Sequence, residues 1–278
     1  CICSNGTLDI LMTDKKLFNS KRTDMCLAAL LILIFHLWIN VFKGNEVENF
    51  IVKTGYIGVD IFLLLSVYTL SLRPITDLKS FYIGRFKSVY LKFALFVVIA
   101  SIINHWKELR AFKSLTMVEL FEKGGGAFLW FLPAIVILYF IFPLVNKILK
   151  FKPWVNALIV LLVWLAVGLI IRRFSNYNAI FIFLNRVPIM VVGYLLARYE
   201  GKIVDKGMGV RVALGVLLLI AGIILTWKFG YKVRLNSPIT DMFYVATIPY
   251  ALGLTLLVDM IPECKVIRLL GRSTLEAY

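Results

Sequence analysis

The sequence is poor in the residues that bind metals, form disulfides or charge a soluble surface. It has two histidines and four cysteines in 278 residues. The cysteines (Cys1, Cys3, Cys26 and Cys264) lack the spacing of metal ligands, so we predict no metal site. Cys1 and Cys3 are also too close for an unstrained disulfide on most backbones. Charged residues make up 17% of the chain and hydrophobic residues 60%, whereas a soluble domain is about 45–50% apolar. The composition therefore excludes an ordinary soluble domain and predicts a polytopic membrane protein.

Acidic residues are scarce as well: 16 Asp and Glu stand against 31 Lys and Arg, for a net charge of +15. Such an excess can indicate nucleic-acid binding. Here the basic residues fall in the gaps between apolar spans, where membrane orientation and anionic headgroups account for them. We therefore predict membrane lipids, and no nucleic acid, as partners.

The two ends of the sequence carry little targeting information. Residues 1–20 lack the apolar core of a cleavable signal peptide. The sequence starts with Cys1 and stops at Tyr278 in mid-pattern, so we expect it to be part of a longer polypeptide. An extracytoplasmic domain, either fused to this polypeptide or separate from it, can be a partner.

Long apolar runs are abundant and predict an all-α, polytopic transmembrane helix bundle with about nine visible spans. We place eight spans at residues 25–42, 54–72, 88–104, 127–146, 154–171, 179–198, 211–227 and 240–260, and a ninth begins near residue 266. This divides the chain into a cytoplasmic segment, 1–24, and a C-terminally incomplete transmembrane domain, 25–278. Lys and Arg are in excess in the set of gaps that includes the N-terminus, which predicts a cytoplasmic N-terminus.

The stretch LLILIFHLWINVF, residues 30–42, contains His36 inside an apolar run. Burial of an imidazole in hydrocarbon is unfavourable, so a histidine there is a candidate for function, and we expect it deep in the bundle. Arg22 lies 14 residues earlier, which places both on one helix face, about 21 Å apart. A neutral imidazole can take a proton from a hydroxyl and return one, as acyl transfer to an alcohol requires. The alternative is a structural histidine bonded to a neighbouring helix.

The second span, GYIGVDIFLLLSVYTLSL, carries Asp60 and Ser66 in an apolar run. Asp60 can hold an imidazole, cap a helix or be a satisfied packing group. Gly55 and Gly58 predict a close approach of two backbones. Taken alone, these residues leave packing and function equally open.

The following segment, SFYIGRFKSVYLKF, contains a cationic patch of Arg85, Lys87 and Lys92 interrupted by aromatic residues. We assign it to a loop between spans. Guanidinium binds phosphate in bidentate fashion, so the patch suits a phosphate-bearing ligand. The alternative is ordinary anchoring by positive charges on the inner side of the membrane.

Two further polar residues need an explanation. Arg186 lies within the sixth span, so it should face the bundle and have an acidic partner. Asp60 and Asp259 are the candidates, and we favour Asp60. Arg186 can line a ligand passage or hold two helices together. His105 lies at the outer end of the third span, where an interfacial role or the positioning of an acceptor sugar are both open.

These features together resemble the acyltransferase 3 family of integral membrane acyltransferases, over roughly residues 20–278. The resemblance consists of His36 at mid-span followed by GVDIFLLLS (58–66), FLWFLPAIVILYFIFPLV (128–145), NRVPIMVVGYLLA (185–197) and LLGRSTLEAY (269–278). It implies a ten-helix core. It also implies transfer of an acyl group, often acetyl, from cytoplasmic acyl-CoA to a sugar hydroxyl of an extracytoplasmic glycan.

The resemblance also assigns roles to particular residues. His36 matches the family's presumed catalytic histidine, Trp130 its fourth-helix tryptophan and Arg85 the first of two arginines in its basic segment. Trp130 on its own is equally an aromatic residue of the membrane interface.

The chain departs from the family at three positions. Met25 stands where a basic residue usually lies, which Arg22 can replace. Ser88 stands where the second arginine would be, with Lys87 beside it. Val67 replaces a common glycine. These departures bear on acyl-CoA binding more than on the fold.

The candidate site residues fall into three groups. As catalytic residues we predict His36 and Asp60. For binding of acyl-CoA, with acetyl-CoA the expected co-substrate, we predict Arg22, Arg85 and Lys87. For the substrate passage we predict Ser66, Trp130 and Arg186. The predicted activity is that of an O-acyltransferase acting on a glycan or lipid-linked sugar. The alternatives are a membrane carrier for a small solute such as an amino acid, and a scaffold in a glycan-assembly machine.

Overall fold

The computed structural model describes residues 17–18, 21–41, 45–122, 130–173, 178–229 and 243–260. All regular structure in these ranges is helical, which confirms the predicted all-α class. The α-helices are α1 Lys21–Val41, α2 Glu46–Lys53, α3 Ile57–Leu72, α4 Leu78–Arg85, α5 Leu91–Ile103, α6 Glu108–Leu115, α7 Phe131–Ile148, α8 Pro153–Ile171, α9 Asn178–Leu184, α10 Val187–Arg198, α11 Glu200–Val204, α12 Met208–Phe229 and α13 Phe243–Val258.

Within the described residues, six helical segments are long and apolar enough to cross a membrane, judged by length and composition. They are Glu48–Leu72, Leu78–Ile103, Phe131–Ile148, Pro153–Ile171, Ala179–Arg198 and Met208–Phe229. Two shorter apolar helices, Thr23–His36 and Tyr244–Val258, fall on the first and eighth predicted spans. Each of the eight predicted spans therefore coincides with an apolar helix, and the ninth lies outside the described residues.

The helix α3 is the centre of the bundle. Residues 57–68 are all buried, because α1, α10 and α13 pack around them. A Cβ on Gly58 would overlap the Ala28 carbonyl oxygen, and one on Gly193 would overlap the Leu64 carbonyl oxygen. These contacts confirm the predicted close approach of backbones at the glycines of the second span. A helix that is apolar on every face and wholly enclosed must satisfy any polar side chain that it carries.

The basic segment assigned to a loop is helical, which corrects that prediction. Asp77 accepts hydrogen bonds from the backbone N–H groups of Lys79 (2.9 Å) and Ser80 (3.1 Å), and so starts α4. A π-helical segment, Phe86–Tyr90, then joins α4 to α5 without a break. The loop was predicted because charged residues were taken to mark the end of a span. Charged side chains near a helix end can reach the membrane interface while the helix itself continues.

The sixth span is broken rather than continuous. The helix α9 ends at Leu184, and Asn185 and Arg186 form a turn before α10 begins. Pro188 lies in the first turn of α10. A proline is tolerated there because the N–H group that it lacks would have no partner within the helix, whereas in the interior of a longer helix it would remove a hydrogen bond.

One end of the bundle joins several helix termini through polar contacts. The Leu17 N–H donates to Glu200 Oε1 (2.7 Å), and Arg211 Nη2 donates to the Leu17 carbonyl oxygen (2.5 Å). Arg211 also pairs with Asp259 at 3.4 Å. The segment before α1 therefore lies beside the ends of α11, α12 and α13, as the alternation of spans predicts for these gaps.

Candidate active site

The break between α9 and α10 places Arg186 beside the middle of the bundle. The Arg186 N–H donates to the Phe183 carbonyl oxygen (3.0 Å), and Arg186 is itself the residue before the first turn of α10. Its side chain is 1% exposed. A guanidinium at that depth requires an anion and hydrogen-bond acceptors, because water cannot supply them.

Asp60 on α3 supplies the anion. Arg186 Nε lies 3.7 Å from Asp60 Oδ1, and the Asp60 side chain is fully buried. Arg186 Nη1 also donates to the Ile182 carbonyl oxygen at 2.9 Å. The pairing with Asp60 confirms the favoured partner, and Asp259, the other candidate, pairs with Arg211 instead.

Trp130, the residue just before α7, completes this cluster. The Arg186 guanidinium carbon lies 4.7 Å from the centroid of the Trp130 ring, within the range of a cation–π contact. The predicted passage residues Trp130 and Arg186 and the predicted catalytic residue Asp60 are thus brought together. Because Arg186 joins three helical segments and is almost fully enclosed, its contacts match the helix-joining role better than the lining of a passage.

A second polar cluster lies further along the same two helices. The hydroxyl groups of Ser66 on α3 and Tyr139 on α7 lie close enough to interact. The Arg85 guanidinium carbon lies 4.5 Å from the Tyr139 ring centroid and 5.4 Å from that of Phe81. Arg85 thus reaches Ser66 through one tyrosine, and the cation is directed toward the bundle.

The other two residues predicted to bind acyl-CoA do not join this cluster. Lys87 is exposed and lies in the π-helical segment, two residues after Arg85. A π-helical insertion is frequent at functional sites because it changes the direction of the side chains that follow. Arg22 lies in the first turn of α1, and its side chain lies outside the described residues. Met25, at the position where the family usually has a basic residue, is buried.

His36 lies in the same continuous helix as Arg22, but it is not deep in the bundle, which corrects the expectation from sequence. Its side chain is exposed, on the face of α1 that also exposes Leu33. The reason is the close approach of Gly55, just before α3, and of Gly58 in α3 to the neighbouring face of α1, which Phe35 occupies. One residue is about 100° of helix rotation, so His36 turns away from the contact.

The His36 ring has a defined orientation despite its exposure. Nδ1 lies 2.9 Å from the Ile32 carbonyl oxygen in the preceding turn of α1, and its ring meets that of Phe35 edge to face at 5.3 Å. A carbonyl oxygen only accepts hydrogen bonds, so in the neutral ring Nδ1 carries the proton and Nε2 the lone pair.

Asp60 does not lie beside His36. The helices α1 and α3 run antiparallel, with Gly58 next to Ala28 and Ile32. Asp60 therefore lies level with about residue 28, which is about 12 Å from His36 along the helix axis. The prediction that Asp60 could hold the imidazole is wrong, because its carboxylate faces Arg186.

Two residues in these clusters were missed from the sequence. Tyr139 joins Arg85 to Ser66, and Tyr56 lies close enough to interact electrostatically with Arg186. A signal for Tyr139 existed: it carries the one hydroxyl group in the run FLWFLPAIVILYFIFPLV. A buried tyrosine usually has a hydrogen-bond partner. His105, which was also considered, is exposed at the turn after α5 with a left-handed φ of 49°.

No group of three or more His, Cys, Asp or Glu side chains within the described part of the chain is placed to hold a metal ion.

The fold defines a multi-pass helical membrane protein with buried polar clusters on its central helix. The model of the acyltransferase 3 family, described as an acyltransferase domain, matches residues 26–278, and the chain belongs to that family. Membership makes the chain, in general terms, a membrane acyltransferase. No curated protein and no solved structure matches the chain at a significant level.

Proposed function

We propose that this membrane acyltransferase moves an acyl group, acetyl in the simplest case, from cytoplasmic acyl-CoA to a hydroxyl of a glycan or lipid-linked sugar outside the cytoplasm. It is then an O-acyltransferase, with His36 as its base. The observation that carries the proposal is the orientation of the His36 ring. Its Nδ1 is bound to the Ile32 carbonyl oxygen, so the basic nitrogen Nε2 is held in a fixed direction.

The chemical step needs one group that both accepts and donates a proton. Nε2 of His36 takes the proton of the acceptor hydroxyl as that oxygen attacks the thioester carbonyl. The carbon–sulfur bond then breaks, and the imidazolium returns the proton to the departing CoA thiolate. The products are the O-acyl ester and CoA, and His36 ends the cycle neutral.

Arg85 is the residue best placed to receive the phosphates of the donor. Contact with the Tyr139 and Phe81 rings holds its guanidinium in place, so little side-chain freedom is lost on binding. Lys87 and Arg22 add positive charge near the same end of the bundle. The pantetheine arm would cover the distance inward toward His36, which lies about 21 Å along α1 from Arg22.

Exposure of His36 favours an acceptor that arrives along the membrane. The ring lies on the face of α1 that also exposes Leu33. A lipid-linked sugar can reach such a face from within the bilayer, with its sugar hydroxyl at the depth of the ring. The excess of Lys and Arg in the gaps on the N-terminal side supports a cytoplasmic N-terminus, and we propose a cell membrane as the location of the protein.

Acyl-CoA turnover by the chain in vesicles tests the proposal. His36→Ala should abolish turnover, since loss of a general base costs about 10²- to 10⁴-fold. The matched control is His105→Asn, because asparagine tolerates the left-handed backbone at that position and the same kind of side chain is removed. We expect the control to keep wild-type turnover.

Two results would count against acyl transfer by this mechanism. Unchanged turnover in His36→Ala would remove the histidine as base. Uptake of a radiolabelled amino acid that does not depend on CoA, with no acyl transfer, would instead support the carrier alternative. Binding of glycan-synthesis enzymes without any CoA binding would support the scaffold.

A further inference from the structure

A cavity of about 220 Å³ lies between α3, α7, α8 and α10. Its walls are apolar, with Val67 from α3, Phe142 from α7, Val160 from α8 and Val191 from α10. The volume equals that of about seven water-sized groups. Such a space is small for a whole drug-sized ligand, which takes about 300–1,000 Å³, but it fits a segment of an alkyl chain. Apolar walls of this kind do not hold water well.

One end of the cavity is polar and tightly organised. Asn156, in the first turn of α8, is 7% exposed. Its Oδ1 accepts from the Phe151 N–H (3.2 Å), and its Nδ2 donates to the Leu149 carbonyl oxygen (3.2 Å) and to the Tyr194 hydroxyl (3.0 Å). These bonds fix the turn between α7 and α8 against α10. The polar end is therefore a built part of the fold.

Positive charge surrounds that polar end. Arg198, the last residue of α10, donates from Nη2 to Asn146 Oδ1 at 3.2 Å. Its guanidinium carbon lies 5.4 Å from the Tyr194 ring centroid. Lys147, in the last turn of α7, is exposed, as are Lys150 and Lys152 in the α7–α8 connection. None of the described residues that line the cavity is acidic, so its mouth attracts an anion.

We propose that this cavity binds a segment of one acyl chain of an anionic phospholipid, with the lipid phosphate at Arg198 and the neighbouring lysines. An apolar channel that ends in several cations matches an amphiphile with an alkyl tail and an anionic head. A sugar or amino acid would leave its polar groups unpaired against the valines and phenylalanine. The basic gaps lie on the side to which we assign the cytoplasm, where anionic lipids attract Lys and Arg. The site uses neither His36 nor Arg85, so it stands apart from the proposed acyl transfer.

The test compares lipids retained by the purified full chain. Vesicles of equal parts phosphatidylglycerol and phosphatidylcholine would be solubilised, and the retained lipids counted by mass spectrometry. The wild type should retain phosphatidylglycerol in preference. Val160→Phe should abolish the preference by filling the cavity, whereas Val163→Phe, one turn further on an exposed face, should not. Arg198→Gln should lower phosphatidylglycerol retention about fivefold, and Arg172→Gln, an exposed arginine at the other end of α8, should leave it unchanged.

Each contrary result would overturn the assignment. Equal retention of both lipids would mean that only general membrane lipid surrounds the protein. Retention that survives both Val160→Phe and Arg198→Gln would place the lipid elsewhere. Displacement of phosphatidylglycerol by an equal concentration of a long-chain acyl-CoA, but not of acetyl-CoA, would assign the cavity to the acyl donor. If Val160→Phe fails to fold, the pair of arginine variants decides the matter.

Discussion

Removal of the Asp60 carboxylate should destabilise the protein severely, because Arg186 would then be a buried cation without its counter-ion. The two side chains are 0% and 1% exposed, with 3.7 Å between Asp60 Oδ1 and Arg186 Nε. With an effective dielectric constant of about 20, the attraction at that distance is about 4 kcal/mol. This agrees with the about 3–5 kcal/mol lost when one partner of a buried pair is removed. Asp60→Asn keeps the shape of the side chain and removes its charge.

A cycle of Asp60→Leu, Arg186→Met and the double variant that carries both provides the sharper measurement. Removal of both charges also removes both desolvation penalties, so the double variant should recover most of the stability that either single variant loses. Unfolding of the full chain in detergent micelles, followed by circular dichroism, gives all the required free energies. Asp205→Asn, an exposed aspartate in a turn, is the control and should change stability by less than about 0.5 kcal/mol.

The outcome separates a structural pair from an incidental one. If Asp60→Asn has the same free energy of unfolding as the wild type, the pair does not hold α3 to the α9–α10 junction. If the single variants are destabilised and their effects simply add in the double variant, the two side chains are not coupled. Acyl transfer by the double variant is the second readout. Activity that returns with stability would confirm that Asp60 positions helices and takes no part in the chemistry.

Two further predictions follow from contacts of the same bundle. Gly58→Val should cost about 1–3 kcal/mol of stability, since its Cβ would overlap the Ala28 carbonyl oxygen. Gly84→Ala, where an added Cβ meets nothing within 4 Å, should be neutral or stabilising in the same micelle unfolding assay. Equal losses in both would contradict the close approach. Arg85→Gln should weaken CoA binding about tenfold or more in calorimetry, and the exposed Lys79→Gln should not. Equal weakening in both variants would mean that only net charge matters.

The sequence predicted the helices better than their contacts. Apolar runs of about 20 residues identify spans because the thickness of the hydrocarbon layer sets the length. The need of Arg186 for an acidic partner could be read in the same way, since a buried cation is costly anywhere in a membrane. The sequence narrowed the acidic partner to two residues within spans, and Asp60, the favoured one, is the residue that pairs with Arg186. The alternation of spans also predicted that the segment before α1 and the termini of α11, α12 and α13 lie at one end of the bundle, as their contacts show.

The main error concerned the rotation of α1 about its axis, which decides the side chains that face the bundle. Length and composition do not say which face of α1 meets α3, so His36 was expected inside. Gly55 and Gly58 decide this, because they allow contact with the neighbouring face of α1 and turn His36 outward. The prediction of a loop at the basic segment was wrong for a different reason. The charges of Arg85 and Lys87 were taken to end the helix, whereas the backbone continues through a π-helical segment.

By itself, the sequence determined that this protein is a helical membrane bundle of the acyltransferase 3 family, because the length and order of apolar runs and a few polar residues within them are local properties. The tertiary structure decided which of those residues meet. It paired Asp60 with Arg186 and joined Arg85 to Ser66 through Tyr139. It also formed an apolar cavity between α3, α7, α8 and α10. These outcomes depend on how the helices rotate and pack against one another, and that packing is set by contacts between residues far apart in the chain.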